Sequence, residues 1–328
     1  MSRPATAAIA GAPRAGTTAL IAIDWGTTSA RGYRHDAAGR VVGETSAALG
    51  IQQVRDGAFA TALATLLGDW AAESAPRIAC GMIGSRQGWI EAPYHECPAA
   101  LDTLAAALVH VPDRALAIVP GVTCVDAAGV PDVMRGEETQ ILGAIAGGPD
   151  SARGRELVVL PGTHCKWALV DAGCIETFAT FLSGELYAVL KEHSILGRMM
   201  APGHEPVVVE AAAYERGVRR GLAAAGPGAS LLHDLFGART LALFGALSPP
   251  AAADYLSGLV IGSEIREGRA WAAQHGADAR RALLVGAPAL TTRYATAFGI
   301  AGTTATIGPA DAASRGLWRI AQRAGLLG

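Results

Sequence analysis

An acidic residue and a turn of small, hydroxylated residues stand close together near the start of the chain. Asp24 precedes a turn formed by Gly26, Thr27 and Thr28. Glycine lets backbone N–H groups approach an anion closely because no Cβ is in the way, and threonine adds a hydroxyl donor. A carboxylate is the hard oxygen ligand that Mg²⁺ prefers, directly or through water. These residues predict a turn that binds phosphate, with Asp24 as a metal ligand beside it.

A second turn of the same kind occurs in the latter half of the chain. Gly162, Thr163 and His164 interrupt an apolar run that resumes around Lys166. A further glycine turn follows 13 residues after Gly26 in the first copy and 11 residues after Gly162 in the second. Either copy alone would be an ordinary hairpin turn. The repetition favours two turns that face each other across a cleft and hold the phosphates of ATP, with Lys166 as a further phosphate contact.

The apolar pattern around these turns predicts two α/β units with the same order of elements, βββαβαβα. Helical spacing, with Asp56 as a cap, predicts the first helix, and short apolar runs predict strands. After the first hairpin the predicted elements are helix Asp56–Glu73, strand Arg77–Ile83, helix Ala99–Leu108, strand Ala115–Val119 and helix Gly136–Ala146. After the second they are helices Gly184–Lys191, Glu210–Ala224, Ala251–Glu267 and Ala289–Phe298, strands Ala282–Val285 and Thr304–Ile307, and a last helix Ala310–Ala324.

The length of the chain also favours two lobes. A chain of 328 residues is long enough for two domains, each with its own core. The turn-rich segment 147–154, just before the second hairpin, predicts a boundary that divides the chain into lobes 18–148 and 149–328. Residues 1–17 are rich in Ala, Pro, Gly and Arg and lack the apolar core of a secretion signal, so we expect a disordered extension there.

Composition excludes several classes of partner. The formal net charge of −2 indicates neither nucleic acid nor an anionic membrane. The five cysteines form no C-x-x-C pair, so neither a disulfide framework nor a zinc knuckle is indicated. No uninterrupted apolar stretch approaches the roughly 20 residues needed to span a bilayer. We therefore expect a protein of the reducing cytoplasm.

Several longer stretches carry a more specific resemblance. They are DWGTTSAR from Asp24, GMIGSRQGW from Gly81, APYHECPA from Ala92, VMRGEETQILGA from Val133, PGTHCKW from Pro161 and SGELYAVLKEHSILG from Ser183. The order of hairpins and acidic helix resembles the sugar kinases of the actin, hexokinase and heat-shock-protein superfamily. The stretches themselves resemble the 2-dehydro-3-deoxygalactonokinase family over almost the whole chain. This resemblance implies an α/β fold of two duplicated ribonuclease H-like (actin-like ATPase) lobes with an ATP cleft between them.

The resemblance also implies an activity, which is phosphorylation of the terminal hydroxyl of 2-dehydro-3-deoxy-D-galactonate by ATP with Mg²⁺. The two Gly-Thr turns would then bind the phosphates of ATP. Gly286 and Ala287, which follow an apolar run, occupy the place of the turn that supports adenosine in this superfamily. Pro288 departs from the small, flexible residue expected there.

A general base is implied as well. Phosphoryl transfer needs a carboxylate to accept the hydroxyl proton, and related sugar kinases place it after a glycine at the start of the helix before the second hairpin. In this chain that position is Glu137, which follows Gly136, and Glu138 is the next choice. Asp24 is a competing base. Alternatively, both glutamates only complement the helix dipole, by roughly 0.3–1 kcal/mol each.

The substrate implied by the resemblance carries a carboxylate, so its pocket should contain an arginine or backbone donors. The loop 84–89 follows a predicted strand of the first lobe and is the first candidate. In this interpretation Arg86 binds the carboxylate, Ser85 and Gln87 bind hydroxyls and Trp89 lines the pocket. Alternatively, Arg86 pairs with another charge at the surface and Trp89 belongs to the core.

Two further residues and two other functions stay open at this stage. Arg135 and His164 are secondary candidates for the substrate pocket. Another sugar or sugar-acid kinase of the same fold would share the phosphate motifs and differ in the substrate loop. A non-enzymatic, ATP-gated actin-like module would need interaction domains for which the chain has little room. The sequence leaves the oligomeric state open, with a homodimer as one candidate.

Overall fold

The structure is a computed structural model that describes residues 18–112, 114–145, 155–200, 210–223 and 230–327. The predicted extension, 1–17, and the predicted boundary segment, 147–154, lie outside these ranges. Within them, no helix combines the length and the apolar character needed to cross a membrane.

The first half of the chain builds its main sheet around the first Gly-Thr hairpin. Its strands are β1 (Leu20–Trp25), β2 (Ala30–His35), β3 (Val41–Ala47), β4 (Arg77–Gly81), β5 (His95–Glu96), β6 (Val109–His110), β7 (Leu116–Ile118), β8 (Val122–Val125) and β9 (Pro131–Met134). Its helices are α1 (Phe59–Leu67), α2 (Leu101–Ala106) and α3 (Glu137–Ala144). The sheet has the order β3-β2-β1-β4-β7-β6, with β4 parallel to both β1 and β7.

The second half repeats this arrangement around the second hairpin. Its strands are β10 (Glu156–Leu160), β11 (Cys165–Asp171), β12 (Cys174–Phe181), β13 (Arg281–Leu284) and β14 (Thr304–Ile307). Its helices are α4 (Ser183–His193), α5 (Ala211–Leu222), α6 (Leu231–Leu243), α7 (Pro249–Gln274), α8 (Pro288–Ile300) and α9 (Ala312–Arg323). The sheet order is β12-β11-β10-β13-β14, with β13 parallel to β10 and β14. Both sheets thus place the hairpin strands beside two parallel strands in ribonuclease H-like order, which confirms the predicted duplicated α/β fold.

Strands β1 and β10 are mostly apolar because both of their faces are buried. On β1, Leu20 and Ala22 join a core shared with the second half, whereas the alternate residues pack against the α1 side. On β10, Val158 and Leu160 join the same shared core, and the alternate residues face a core containing α5, α7 and α8. The two sheets therefore turn one face toward each other, and the Gly-Thr turns follow these two strands.

The last helix of the chain packs against the first half. Helix α9 lies on α3 and also contacts α2, β1 and β4. The crossing of α3 and α9 depends on Gly143 and Gly316, because a Cβ on Gly143 would collide with the carbonyl of Ala312 and one on Gly316 with the carbonyl of Thr139. Close contact between the two helix backbones thus joins α9 to α3, the helix that carries Glu137 and Glu138.

Several local features differ from the sequence-based expectation. Helix α1 begins at Phe59, and Asp56 is not its cap, because Asp56 lies before it with a φ of +54°. A small sheet of order β5-β8-β9 and helix α6 were not predicted. The small sheet lies at the junction of the halves, where Ala99 forms a β-bridge with Ile175.

Candidate active site

Asp24 lies at the carboxyl end of β1, on the face that turns toward the second half. Its partner on β4 is Cys80, whose Sγ lies 3.9 Å from the Asp24 carboxylate, and its partner on β2 is Arg31. Burial raises the pKa of Asp24, while the Arg31 charge and the Cys80 thiol oppose that shift. A partly exposed carboxylate at a strand end can serve as a cation ligand.

Two glycines bring the ends of β1 and β4 against the start of α3. Gly81 has a φ of +89° and Gly136 a φ of +106°, values that other residues rarely adopt. A Cβ on Gly136 would lie 3.2 Å from the Cα of Gly81, and a Cβ on Gly81 would lie 2.7 Å from the carbonyl oxygen of Trp25. Glycine at both positions therefore lets the acidic helix start beside Asp24.

Glu138 is the fully buried member of the acidic pair. Its carboxylate accepts hydrogen bonds from the backbone N–H of Gly136 at 2.6 Å and from the hydroxyl of Thr139 at 2.8 Å. Burial, and then the neighbouring charge of Glu137, raises the pKa of Glu138 to about 7. The Glu138 carboxyl group is thus engaged inside the protein, where it holds the start of α3.

Glu137 keeps part of its surface exposed. Its carboxylate accepts a hydrogen bond from the backbone N–H of Arg135 at 3.0 Å. Burial raises the pKa of Glu137, the charge of Lys166 lowers it and the charge of Asp24 raises it. Glu137 therefore lies within electrostatic reach of one residue from each Gly-Thr hairpin, and it is the more exposed member of the pair.

The first Gly-Thr turn is supported from behind by a later glycine. A Cβ on Gly50 would collide with the carbonyl of Thr27, so only glycine allows this contact. The backbone N–H of Ile51 donates to the carbonyl of Gly26 at 3.1 Å. Thr27 and Thr28 remain exposed. The turn is held by backbone contacts, which leaves its hydroxyl groups available.

The second Gly-Thr turn is supported in the same way, by the start of α4. A Cβ on Gly184 would collide with the carbonyl of Gly162, and the N–H of Glu185 donates to the carbonyl of Thr163 at 2.9 Å. The Nε2 of His164 lies 2.6 Å from the carboxylate of Glu185. Thr163 and His164 are exposed.

The predicted adenosine turn lies next to the second Gly-Thr turn. Gly286 follows β13 with a φ of +147°, and a Cβ there would lie 3.4 Å from the carbonyl oxygen of Pro161. Ala287 precedes α8, and Pro288 is its first residue. Proline suits that position because its fixed φ is already helical and its missing N–H is not needed. This accounts for the departure of Pro288 from the expected turn.

Lys166 lies where the two halves meet. It is 5% exposed, and its Nζ donates to the carbonyl of Val133 and to the hydroxyl of Thr180, both at 2.7 Å. The Thr180 hydroxyl in turn donates to the carboxylate of Asp132 at 2.6 Å. The ammonium group is thus held by β9 of the first half and β12 of the second, from where its charge acts on Glu137. Its contact with phosphate stays a prediction.

A buried carboxylate ties together the elements behind the second turn. Glu264 on α7 accepts hydrogen bonds from the indole N–H of Trp167 at 2.7 Å and from the hydroxyl of Tyr294 at 2.6 Å. Burial raises the pKa of Glu264, and hydrogen bonds from Cys165, Ser183, Trp167 and Tyr294 oppose this shift. Because these partners lie on β11, α4 and α8, Glu264 connects the elements that follow the second Gly-Thr turn and the Gly286 turn.

The loop 84–89 follows β4 and folds back on itself. The N–H of Trp89 donates to the carbonyl of Ile83 at 2.8 Å, and the N–H of Ala92 donates to the carbonyl of Gly84 at 2.9 Å. The Trp89 ring stacks on Phe59, with 6.1 Å between the ring centroids. The base of the loop is therefore anchored in the core of the first half.

The tip of this loop differs from its base. The Arg86 side chain is 83% exposed, and its Nε lies 3.4 Å from the carboxylate of Glu91. Gln87 is also exposed, whereas Ser85 is buried. Arg135 lies beneath the loop, where its guanidinium is 4.3 Å from the Tyr94 ring centroid. Each arginine has a neighbour in the fold, which is a carboxylate for Arg86 and an aromatic ring for Arg135. The two side chains differ most in exposure.

The match to known proteins is extensive. A model of the 2-keto-3-deoxy-galactonokinase family matches residues 24–320. The chain belongs to this family. The 2-dehydro-3-deoxygalactonokinase of Escherichia coli (strain K12) is 36% identical over 297 residues, which cover 90% of this chain and 95% of that protein.

Two further proteins are similar to this chain over most of its length. A protein of Rhizobium meliloti (strain 1021), described as a probable 2-dehydro-3-deoxygalactonokinase, is 37% identical over 309 residues, which cover 92% of this chain and 96% of that protein. A crystal structure from Sinorhizobium meliloti, of a protein given the same description, superimposes with a TM-score of 0.83 at 36% identity and covers 92% of this chain and 98% of that one. The similarity thus includes both halves.

Sequence reasoning about this kinase missed four supporting residues: Gly50, Gly81, Gly184 and Glu264. The first three matter because backbone passes close to them, and a single sequence does not reveal which glycine is in such contact. Gly81 and Gly184 do stand within the stretches that resemble the family. Glu264 closely follows the apolar run Leu259–Ile261 in α7, and this position is the signal that could have identified it as buried.

Proposed function

We propose that this member of the 2-keto-3-deoxy-galactonokinase family transfers the γ-phosphoryl group of ATP to the terminal hydroxyl of 2-dehydro-3-deoxy-D-galactonate. The observation that carries the proposal is a partly exposed Glu137 at the start of α3, whose pKa responds to the charges of both Asp24 and Lys166. The relatives named for this reaction match over nearly the full chain.

Mg²⁺ fits the donor set through one carboxylate. Within the described part of the chain, no group of three or more His, Cys, Asp and Glu side chains could hold a metal ion. Mg²⁺ is usually bound through one or two carboxylates, water and substrate phosphates, so Asp24 alone is sufficient on the protein side. When bound there, Mg²⁺ would neutralise charge on the phosphates.

Glu137 is the general base in this proposal. Its carboxylate takes the proton of the terminal hydroxyl while the hydroxyl oxygen bonds to the γ-phosphorus and the bond to the β-phosphate oxygen breaks. A raised pKa suits this role, because a stronger base accepts the proton more readily as long as it is ionised at the working pH. Glu138 holds Glu137 in place through its own hydrogen bonds at the start of α3.

The remaining groups orient the reactants. Gly26, Thr27 and Thr28 would contact the phosphates from the first half, and Gly162, Thr163 and His164 from the second. Lys166 would add positive charge at the junction, and Gly286 and Ala287 would support the adenosine. The loop 84–89 and Arg135 would form the sugar-acid pocket. Both turns are held by close backbone contacts, and such preorganisation favours phosphoryl transfer.

A coupled assay for ADP release tests the function. Purified protein with Mg²⁺ and ATP should release ADP when 2-dehydro-3-deoxy-D-galactonate is added. A release rate no higher than the background without the sugar acid would refute the kinase assignment. The C4 epimer, 2-dehydro-3-deoxy-D-gluconate, should react with a lower kcat/KM, and the reverse order would assign the site to the gluconate series.

A further inference from the structure

An arginine next to the proposed base has charged donors without acceptors. The guanidinium of Arg135 donates through Nη2 to the carbonyl of Ala92 at 2.8 Å. Among the described residues, nothing accepts a hydrogen bond from its buried Nε and Nη1. Guanidinium stays protonated when buried, so donors left unpaired there cost desolvation free energy. Such groups call for an explanation, and a ligand that pairs with them is one.

The neighbouring loop contributes a second unsatisfied group. Ser85 is 7% exposed, and within the described ranges its buried Oγ has no hydrogen-bond partner. The residue before it, Gly84, touches the guanidinium, because a Cβ on Gly84 would lie 3.1 Å from Nη1 of Arg135. Among the described residues, a hydroxyl without a partner and a guanidinium with two unpaired donors thus both adjoin Gly84.

We propose that Arg135, assisted by Ser85, binds the carboxylate of the sugar acid, an inference that rests on the proposed function. A carboxylate accepts hydrogen bonds from guanidinium through both oxygens, and such charged bonds are about twice as strong as neutral ones. The backbone N–H of Arg135 donates to Glu137, whereas its side chain reaches Ala92 and Tyr94. The Arg135 side chain would therefore contact the carboxylate end of the substrate, and Glu137 would contact the reacting hydroxyl at the other end.

Arg86, the first choice from sequence, is less suited to this task. Its side chain is mostly in water and already faces Glu91. Ion pairs between exposed side chains contribute little, because water and salt screen them. A buried guanidinium distinguishes an anion from a neutral group much more strongly, because only the anion compensates for its lost hydration.

Access to Arg135 requires Gly84 to move, while the far end of the loop stays anchored in the core. Solvent does not reach Nε or Nη1, and Gly84 forms part of the cover. The exposed tip at Arg86 and Gln87 can follow such a movement. The carboxylate would then accept hydrogen bonds from Nη1 of Arg135, beside Gly84, and from the hydroxyl of Ser85.

Two acceptors that differ at one group test the proposal. One is 2-dehydro-3-deoxy-D-galactonate, and the other is the 3-deoxyhexulose of the same configuration, with a hydroxymethyl group in place of the carboxylate. Arg135→Met should raise KM for the acid roughly 10- to 100-fold, the loss expected for a charged hydrogen-bonded contact, and leave KM for the hexulose within about threefold. Calorimetry without nucleotide should show the same loss of acid binding. Ser85→Ala should act in the same direction by roughly 3- to 10-fold.

Arg34→Met is the matched control. Arg34 also stacks on an aromatic ring, at 5.2 Å from the Trp70 centroid, pairs with Glu73 at 3.1 Å and has a buried Nε without a partner in the described residues. It should leave the ratio of the two KM values unchanged. If Arg135→Met unfolds below the assay temperature, Arg135→Lys is the second variant. It keeps the positive charge without the paired N–H donors of guanidinium and should give an intermediate KM for the acid.

The outcomes separate this inference from the proposed function. Wild-type enzyme that does not phosphorylate the acid overturns the function itself. Wild-type enzyme that is active on the acid, with Arg135 variants that weaken both acceptors equally, overturns only the inference and makes Arg135 a support of the loop. A selective loss for the acid in Arg86→Ala, and not in Arg135→Met, moves the carboxylate to the loop tip.

Discussion

The two Gly-Thr hairpins share a backbone arrangement but carry different charges. Asp24 stands two residues before Gly26, and the same place before Gly162 holds the buried Leu160. The partner of Asp24 across its hairpin is the exposed Arg31, whereas the partner of Leu160 is the buried Lys166. The first hairpin thus carries a carboxylate opposite an exposed arginine. The second carries a buried lysine with no carboxylate opposite it in the hairpin.

This difference predicts a division of roles between the two halves of the chain. Lys166, which lacks an acid in its own hairpin, is held by Val133 and Thr180, and its charge acts on Glu137 of the first half. Metal binding and proton transfer would then belong to the first lobe, and nucleotide contact mainly to the second. Substitutions at corresponding positions should therefore fail in different ways.

The largest effect should come from Glu137→Gln. Loss of the base should lower kcat roughly 10²- to 10⁴-fold, while nucleotide affinity stays as in the wild type. Single-turnover rates and a fluorescent-nucleotide titration measure the two quantities. Glu138→Gln is the comparison, because it changes the adjacent buried carboxylate and should retain much more activity. An inactive Glu138→Gln beside an active Glu137→Gln would move the base by one residue.

Asp24→Asn should have the next largest effect. Replacement of the metal-binding carboxylate should lower kcat roughly 10²- to 10³-fold and raise the Mg²⁺ concentration that gives half-maximal rate. Rates measured across a Mg²⁺ series, after removal of metal with EDTA, check both. Leu160→Met, at the corresponding place in the second hairpin, should leave the Mg²⁺ requirement unchanged. An unaltered Mg²⁺ curve for Asp24→Asn would remove Asp24 from the metal site.

Gly162→Val should affect the nucleotide half. A Cβ at Gly162 has room in the fold, since its nearest neighbour would be the carbonyl of His164 at 3.9 Å. It would occupy the space in which a phosphate approaches the backbone, so we expect kcat/KM for ATP to fall roughly 10-fold or more while the melting temperature changes little. Gly299→Ala, on the exposed side of α8, controls for the loss of a glycine. Normal ATP kinetics in Gly162→Val would leave the second turn a structural element.

The smallest effect is a displacement of the pH profile by Lys166→Met. Glu137 must be ionised to act, so kcat/KM falls as the pH drops through its pKa. Because the Lys166 charge lowers that pKa, its removal should raise the pKa and move the acidic limb to higher pH. Thr180→Val removes a partner of Lys166 but keeps the charge, and its limb should not move. An acidic limb at the wild-type pH in Lys166→Met would show that the Lys166 charge does not set the pKa of Glu137.

The sequence predicted the parts of the fold that rest on local pattern. The hairpins, the parallel strands and α3 follow from apolar runs, glycine turns and an acidic first turn. The small sheet β5-β8-β9 was missed because His95–Glu96 is two residues long and its pairing depends on tertiary contacts. Helix α6 was missed because it exposes apolar residues such as Leu232 and Phe236, which blurs its periodicity.

The candidate site was predictable in its residue types but not in its burial. Glycine followed by acids pointed to Glu137 and Glu138, yet only the fold reveals that Glu138 is closed off while Glu137 keeps some exposure. Two arginines stood near the proposed pocket, and the sequence favoured Arg86 from its loop. The stacking of Arg135 on Tyr94 joins residues 41 positions apart in the chain, so no local sequence pattern could predict it.

The return of α9 to the first lobe has a consequence for synthesis of the protein. The ribosome makes β1 before α9, yet Leu317 and Ile320 of α9 belong to the same core as Leu20 and Ala22 of β1. The core around Asp24 and Glu137 therefore cannot close until α9 has been synthesised. A premature stop shortly before α9 would spare every residue assigned to the site and still leave the catalytic lobe open.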